Sequence, residues 1–208
     1  MRKTLMLSLT ALIAVGLVFA AQTTAQEKQQ GAKAQVGQPA PAFALEDQKG
    51  KTHSLSDYSG KIVVLEWFNE ECPYVVRHHK EKDNTMATLA SKYKDQDVVW
   101  LAINTTAGKS NSDNQQIAQK WNIEYPILND SNGQVGKAYG AKTTPHMFII
   151  DKDGTLVYAG GIDDDQQGTK SKDQRTNYVD KALTELLSGQ TVTQAESRPY
   201  GCSIKYAR

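Results

Sequence analysis

A chain of 208 residues with 24 Lys and Arg against 23 Asp and Glu has almost no net charge, so it offers no basic field for nucleic acid or an anionic membrane. Its two cysteines, Cys72 and Cys202, are too few for a disulfide scaffold. In an oxidising compartment such a pair is either one structural bridge or a working redox couple.

The chain opens with Arg2 and Lys3, followed by an apolar run from Leu5 to Ala20 and small residues that offer cleavage after Ala20 or Ala25. That is the pattern of a secretory signal peptide; an uncleaved anchor is the rival reading, on a run that is short for a full span. No cysteine lies near the cleavage region to carry a lipid. The polar stretch that begins at Gln26 reads as a flexible leader. Phe43 and Leu45 then start an alternating strand, Lys49-Gly50-Lys51 is a turn, and Thr52, Ser54 and Leu55 form a return strand.

Ile62 to Phe68 is an apolar, β-branched run that predicts a buried strand, and Pro73 to Tyr93 has helical spacing around a polar middle. Val98 to Ile103 predicts a second buried strand, and a helix from about Asp113 to Asn122 carries Ile117, Ala118 and Trp121 on one face. Ile127-Leu128 is a short extended piece, and Val135 to Tyr139 is a short helix closed by Gly140. Met147 to Asp151, a turn at Lys152-Asp153-Gly154 and Leu156 to Ala159 predict a hairpin. Gly160 to Arg175 is a long loop, Tyr178 to Leu187 an amphipathic helix, and the tail from Gln190 shows no strong period. Strands alternating with helices before a terminal hairpin imply an α/β sandwich with a mixed central sheet, preceded by an N-terminal β-hairpin extension.

The buried strand ends in Asn69-Glu70-Glu71-Cys72-Pro73. Proline suits the first helical position, so Cys72 is expected at or beside the N-cap, where free N–H groups and the positive end of the helix dipole favour a thiolate. The bland alternative is a buried structural cysteine.

Several motifs together resemble the thioredoxin superfamily, in particular its redoxin branch of alkyl hydroperoxide reductases and thiol-specific antioxidant proteins. Val36-Gly37-Gln38-Pro39 resembles that branch's start, Trp67-Phe68 to Cys72-Pro73 its active-site turn, and Thr144-Pro145 its cis-proline loop. The resemblance spans residues 36–189, which leaves 1–25 as signal peptide, 26–35 as leader and 190–208 as a tail carrying Cys202. It implies a thioredoxin-like sandwich and a thiol oxidoreductase, which the signal-peptide pattern would make an exported, periplasmic or secreted one. The implied substrate is a hydroperoxide or a protein disulfide, and the implied reductant is thioredoxin-like or another thiol. No cofactor, metal, nucleic acid or stable membrane insertion after cleavage is implied. Three positions depart from the pattern. Val75 stands where thioredoxin-type reductases have a second cysteine, and Asn69 and Leu65 stand where peroxiredoxins have threonine and proline.

Around Cys72 as nucleophile, Asn69 can donate a hydrogen bond toward a substrate oxygen, and Pro145, if cis, sets the Thr144 backbone against the thiol. Glu66 matches the place of thioredoxin's buried carboxylate. Burial should raise its pKa and make it a proton acceptor for the thiol; the alternative is a solvated residue on an edge strand. Glu70 and Glu71 either raise the thiol pKa or are solvated turn residues, and Arg77 reads as a solvated helical arginine. His146 can approach Cys72, while His78 and His79 read as surface or partly packed. Cys202 is a resolving cysteine, one end of a permanent bridge, or an unrelated thiol in a mobile tail. Rival functions are a non-enzymatic binding module with its edge at Thr144-Pro145 and a metal carrier built from Cys72 and a histidine.

Overall fold

A computed structural model of the protein describes residues 33–80 and 84–207; the expected signal peptide and most of the expected leader lie outside them. Among the described residues no helix is long and apolar enough to cross a membrane. The short antiparallel pair β1 (Ala44–Glu46) and β2 (Thr52–Ser54) forms the expected N-terminal hairpin, though Leu55 leaves it to begin a 3-10 turn.

The main sheet contains β3 (Ile62–Phe68), β4 (Val98–Asn104), β5 (Ile127–Asn129), β7 (Met147–Ile150) and β8 (Leu156–Gly160), in the order β5-β4-β3-β7-β8. β3 runs parallel to β4 and antiparallel to β7, so the sheet is mixed, as expected. β3 is its central strand, and all seven of its residues are buried. A strand covered on both faces needs apolar side chains in both directions, which is why Ile62 to Phe68 reads as a continuous run.

Ile62 and Val64 face a core shared with Met86, Leu89, Trp100, Val179 and Leu183. Val63, Leu65 and Trp67 face the opposite core with Leu101, Phe148, Val135 and Tyr139. Burying each such side chain fully is worth about 1.5–3 kcal/mol.

The expected helix from Pro73 to Tyr93 is two helices, α1 (Pro73–Lys80) and α2 (Thr85–Tyr93). Asn84, just ahead of α2, is left-handed at φ 35°, so the backbone there cannot be part of one continuous helix. α3 (Asn111–Trp121) starts two residues earlier than expected, because Ser110 and Asp113 exchange hydrogen bonds as a capping box. α4 (Gln134–Tyr139) ends at Gly140 in the left-handed region, and α5 (Tyr178–Leu187) is capped by Asn177, which accepts from Asp180 N–H at 2.9 Å.

The patternless tail is ordered into the fold. It contains β9 (Cys202–Ser203), which pairs antiparallel with β6 (Thr143–Thr144), a strand of equal length just before β7. A two-residue strand has no period to detect.

Candidate active site

β3 runs out at Phe68, and Asn69 makes the turn that follows: its Oδ1 accepts from Glu71 N–H at 2.8 Å and its carbonyl from Cys72 N–H at 3.1 Å. The Cys72 carbonyl then accepts the first helical bond of α1 from Val76 N–H at 2.9 Å. Cys72 thus sits at the N-cap, with the unpaired N–H groups of the first turn beside its sulfur. It lies at the carboxyl ends of the parallel strands β3 and β4, where open α/β sheets place their ligands.

Three elements converge on the Cys72 sulfur. The thiol donates to the Thr144 carbonyl at 2.9 Å, from the loop whose Thr144-Pro145 peptide is cis. Val75 N–H, in the same first helical turn, offers a hydrogen bond to the thiolate. Cys202, paired in register with Thr144, supplies hydrogen bonds from both its thiol and its backbone. Burial alone would push the Cys72 pKa up, but these donors and the Thr144 side chain together bring it below the ordinary thiol value. Thr144 Oγ1 is buried with no partner while Cys72 is a thiol, and so is free to serve the thiolate. Cys202 moves the other way, pushed up to about 11 by desolvation and by its hydrogen bond to Cys72. Both cysteines are free thiols, Cys72 buried and Cys202 partly exposed.

Other residues singled out in the sequence lie elsewhere. Glu66 is on the central strand, not an edge, and is fully buried at 0% exposure. Its Oε1 pairs with His79 Nε2 at 2.6 Å, and its Oε2 accepts from Trp100 Nε1 at 3.0 Å and Tyr125 OH at 3.1 Å. Burial works to raise its pKa, as anticipated, yet His79 and these hydrogen bonds outweigh burial and hold it below the ordinary value. The expectation of a raised pKa is therefore corrected: a carboxylate with both oxygens engaged is stabilised as the anion.

His78 and His79 are not surface residues. His78 faces Tyr200 OH at 3.0 Å and Thr85 Oγ1 at 3.3 Å, and burial beside the Arg77 charge pushes its pKa down to about 3. His146 is buried, packs on Phe148, and its Nδ1 accepts from Lys142 N–H at 3.3 Å. Its pKa falls to about 3, with burial the larger cause. Glu70 and Glu71 share the ammonium of Lys109, at 2.6 and 3.1 Å. Among the described residues no group of three or more metal-binding side chains is assembled.

Two features escaped the sequence reading. Arg77 is a tie between elements: it donates to the carbonyls of Asp165 and Gln166 at 2.9 and 3.0 Å and to Tyr200 OH at 3.2 Å. Gly201 is the second. A Cβ there would lie 2.0 Å from the Thr144 carbonyl oxygen and 2.7 Å from its carbon, so the tail backbone lies directly on the cis-proline loop. A glycine immediately before a late cysteine was the available signal.

This geometry agrees with comparisons to known proteins. Residues 36–159 match the family model described as the AhpC/TSA family. A thiol-disulfide oxidoreductase ResA of Bacillus thuringiensis subsp. konkukian is 28% identical over 149 residues, covering 72% of this chain and 79% of the relative. The crystal structure of a hypothetical protein from Sinorhizobium meliloti 1021 superposes with a TM-score of 0.75 at 26% identity, over 84% of this chain and 96% of that one. An uncharacterized conserved protein from Geobacillus kaustophilus gives 0.72 at 29%, over 83% and 93%. The thioredoxin-like architecture is thus shared along nearly the whole described chain. With its mixed sheet, its cysteine at the N-cap of α1 and its match over residues 36–159, the chain belongs to the AhpC/TSA family of the thioredoxin superfamily.

Proposed function

We propose that the protein is an exported thiol oxidoreductase that reduces hydroperoxides or protein disulfides through Cys72, with Cys202 as the resolving cysteine. The observation that carries this reading is the meeting of two thiols 130 positions apart, with the pKa of Cys72 lowered and that of Cys202 raised. The ResA relative supports thiol–disulfide chemistry of the same general kind.

The thiolate is the reactive form, and the donors around Cys72 enlarge its share at neutral pH. With a hydroperoxide, the thiolate attacks the terminal oxygen. An S–O bond forms as the O–O bond breaks, leaving a sulfenic acid on Cys72 and an alkoxide or hydroxide that takes a proton from water. With a disulfide, the thiolate bonds to one sulfur and the other leaves as a thiolate.

In both cases Cys202 then displaces the group on Cys72, releasing water or the second substrate thiol, and a Cys72–Cys202 disulfide results. A thioredoxin-like or other external dithiol reduces that bond and is itself oxidised. The raised pKa of Cys202 belongs to the reduced pair; once Cys72 is oxidised it no longer competes as a thiolate, and Cys202 deprotonates more readily.

In this scheme Thr144 steadies the thiolate, Asn69 shapes the turn that presents it and the cis Pro145 fixes the Thr144 carbonyl beside it. Replacing Cys72 by Ser is expected to lower turnover of either substrate by about a thousandfold or more. Mass spectrometry after substoichiometric peroxide should find a Cys72–Cys202 bond in the native chain and a trapped sulfenate at Cys72 when Cys202 is Ser. Unchanged turnover in the Cys72→Ser variant overturns the proposal.

A further inference from the structure

The tail strand stands where an extended substrate would stand. β6 has two residues, and both are paired: Thr143 with Ser203 and Thr144 with Cys202. Pairing of an incoming extended chain with an exposed strand edge needs free backbone groups, and here the edge is filled by the protein's own chain. Cys202, in register with Thr144, brings its sulfur within hydrogen-bonding reach of the Cys72 sulfur.

The strand is held on both sides. Upstream, Ser197 N–H donates to the Ala159 carbonyl at 3.2 Å, Ala159 N–H donates to the Ala195 carbonyl at 3.0 Å, and Gly161 N–H donates to Ser197 Oγ at 2.9 Å. The Tyr200 hydroxyl donates to the Asp163 carboxylate and meets His78 and Arg77. Downstream, Ala107 N–H donates to the Lys205 carbonyl at 2.8 Å. Tyr206 OH donates to the Ala141 carbonyl at 2.9 Å, its ring lying over Gly133 and Gly136. A segment tied at this many points is held to the sheet along its length.

We propose that this seated tail sets which oxidants reach Cys72: the reduced protein accepts hydroperoxides and excludes protein disulfides, and Gly201 is the residue on which the exclusion depends. The proposal rests on the thiol-oxidoreductase reading above and narrows its substrate class. A protein disulfide must bring a backbone to the β6 edge and therefore needs the whole strand to leave. A hydroperoxide needs no strand pairing, and rotation of the partly exposed Cys202 side chain uncovers the Cys72 sulfur while the backbone stays in place. Seating requires glycine at 201, because any Cβ there collides with backbone atoms of Thr144 that no rotamer change can move.

The test uses the full reduced chain and single-turnover loss of the Cys72 thiol, with hydrogen peroxide and with insulin as the protein disulfide. Native protein, Gly201→Val and Tyr206→Ala are compared, and the rate of Cys202 alkylation reports whether the tail is seated. In Gly201→Val, Cys202 should alkylate faster. The ratio of insulin rate to peroxide rate should rise about tenfold or more, since a strand ladder no longer has to be broken first. Tyr206→Ala, which leaves the backbone at Cys202 intact, should shift both readouts in the same direction by less, and it carries the test if the valine variant does not fold. Faster Cys202 alkylation with an unchanged ratio overturns the exclusion, and unchanged Cys202 alkylation in a folded Gly201→Val overturns the role of Gly201. A Cys72 that reacts with neither oxidant in any variant removes the oxidoreductase reading itself, an outcome distinct from a reactive Cys72 with an unchanged ratio.

Discussion

Two polar regions lie at the end of β3, and they are built on opposite principles. Around Glu66, each carboxylate oxygen has a partner: His79 and Trp100 are buried with it, and the half-buried Tyr125 closes the cluster. Around Cys72, Thr144 Oγ1 has no partner in the thiol state, one sulfur is partly exposed, and two thiols lie in hydrogen-bonding contact. A satisfied buried network fixes a single arrangement, whereas an incompletely satisfied one leaves groups free to answer a change of charge. Proximity in sequence to a reactive thiol therefore does not make Glu66 its base. Its hydrogen bonds are spent on holding α1 and β4 against β3.

That contrast can be broken by experiment. The largest effect is expected from Glu66→Ala, which strands the buried His79, Trp100 and Tyr125 groups and should lower the unfolding free energy by about 3 kcal/mol. Urea denaturation measures it. The alkylation rate of Cys72 in the folded variant should stay within about twofold of the native value, as for a site with which it shares no partner. A large loss of thiol reactivity at unchanged stability would make Glu66 part of the chemistry after all.

A smaller effect is expected from pH. His78 and His146 are held neutral, with folded pKa values near 3 against about 6.5 when unfolded, so the unfolded chain binds the additional protons as pH falls below about 6.5. Stability is whole above that value and declines below it, by about 1 kcal/mol for each histidine between pH 6.5 and 5.5. Carboxylates whose pKa is lowered stay ionised in both states across most of that window. His78→Gln should remove about half of the decline in a melting series, and a flat series from pH 7 to 5.5 contradicts the burial of both rings.

The smallest effect concerns the thiol itself. Thr144→Val keeps the shape and removes the hydroxyl that serves the thiolate, so the Cys72 pKa should rise, seen as a shift of the alkylation–pH curve to higher pH. Stability should not suffer, because that hydroxyl is unpartnered while Cys72 is protonated. An unmoved curve would assign the lowered pKa to Val75 N–H and Cys202 alone.

Much of the fold was legible because its signals are local and repeated. The apolar run Ile62–Phe68, the hairpin turn Lys152-Asp153-Gly154 and the amphipathic spacing from Tyr178 to Leu187 each declare an element within one stretch of chain. The N-cap position of Cys72 followed from Pro73 in the same way. What was hidden depends on pairings at a distance. The burial of His78 needs Tyr200, 122 residues away, and the Arg77 tie needs Asp165 and Gln166, 88 and 89 residues away. The lowered pKa of Glu66 could not be foreseen either. Its sign is set first by His79 and then by Trp100 and Tyr125, whose convergence on one carboxylate no local pattern encodes.

Because the missing side chain of Gly201 lets the tail lie on the Thr144 carbonyl, the dipeptide Gly201-Cys202 is a one-dimensional mark of a three-dimensional arrangement. In this chain the second sulfur rides on a strap, and one absent side chain is what lets the strap lie down.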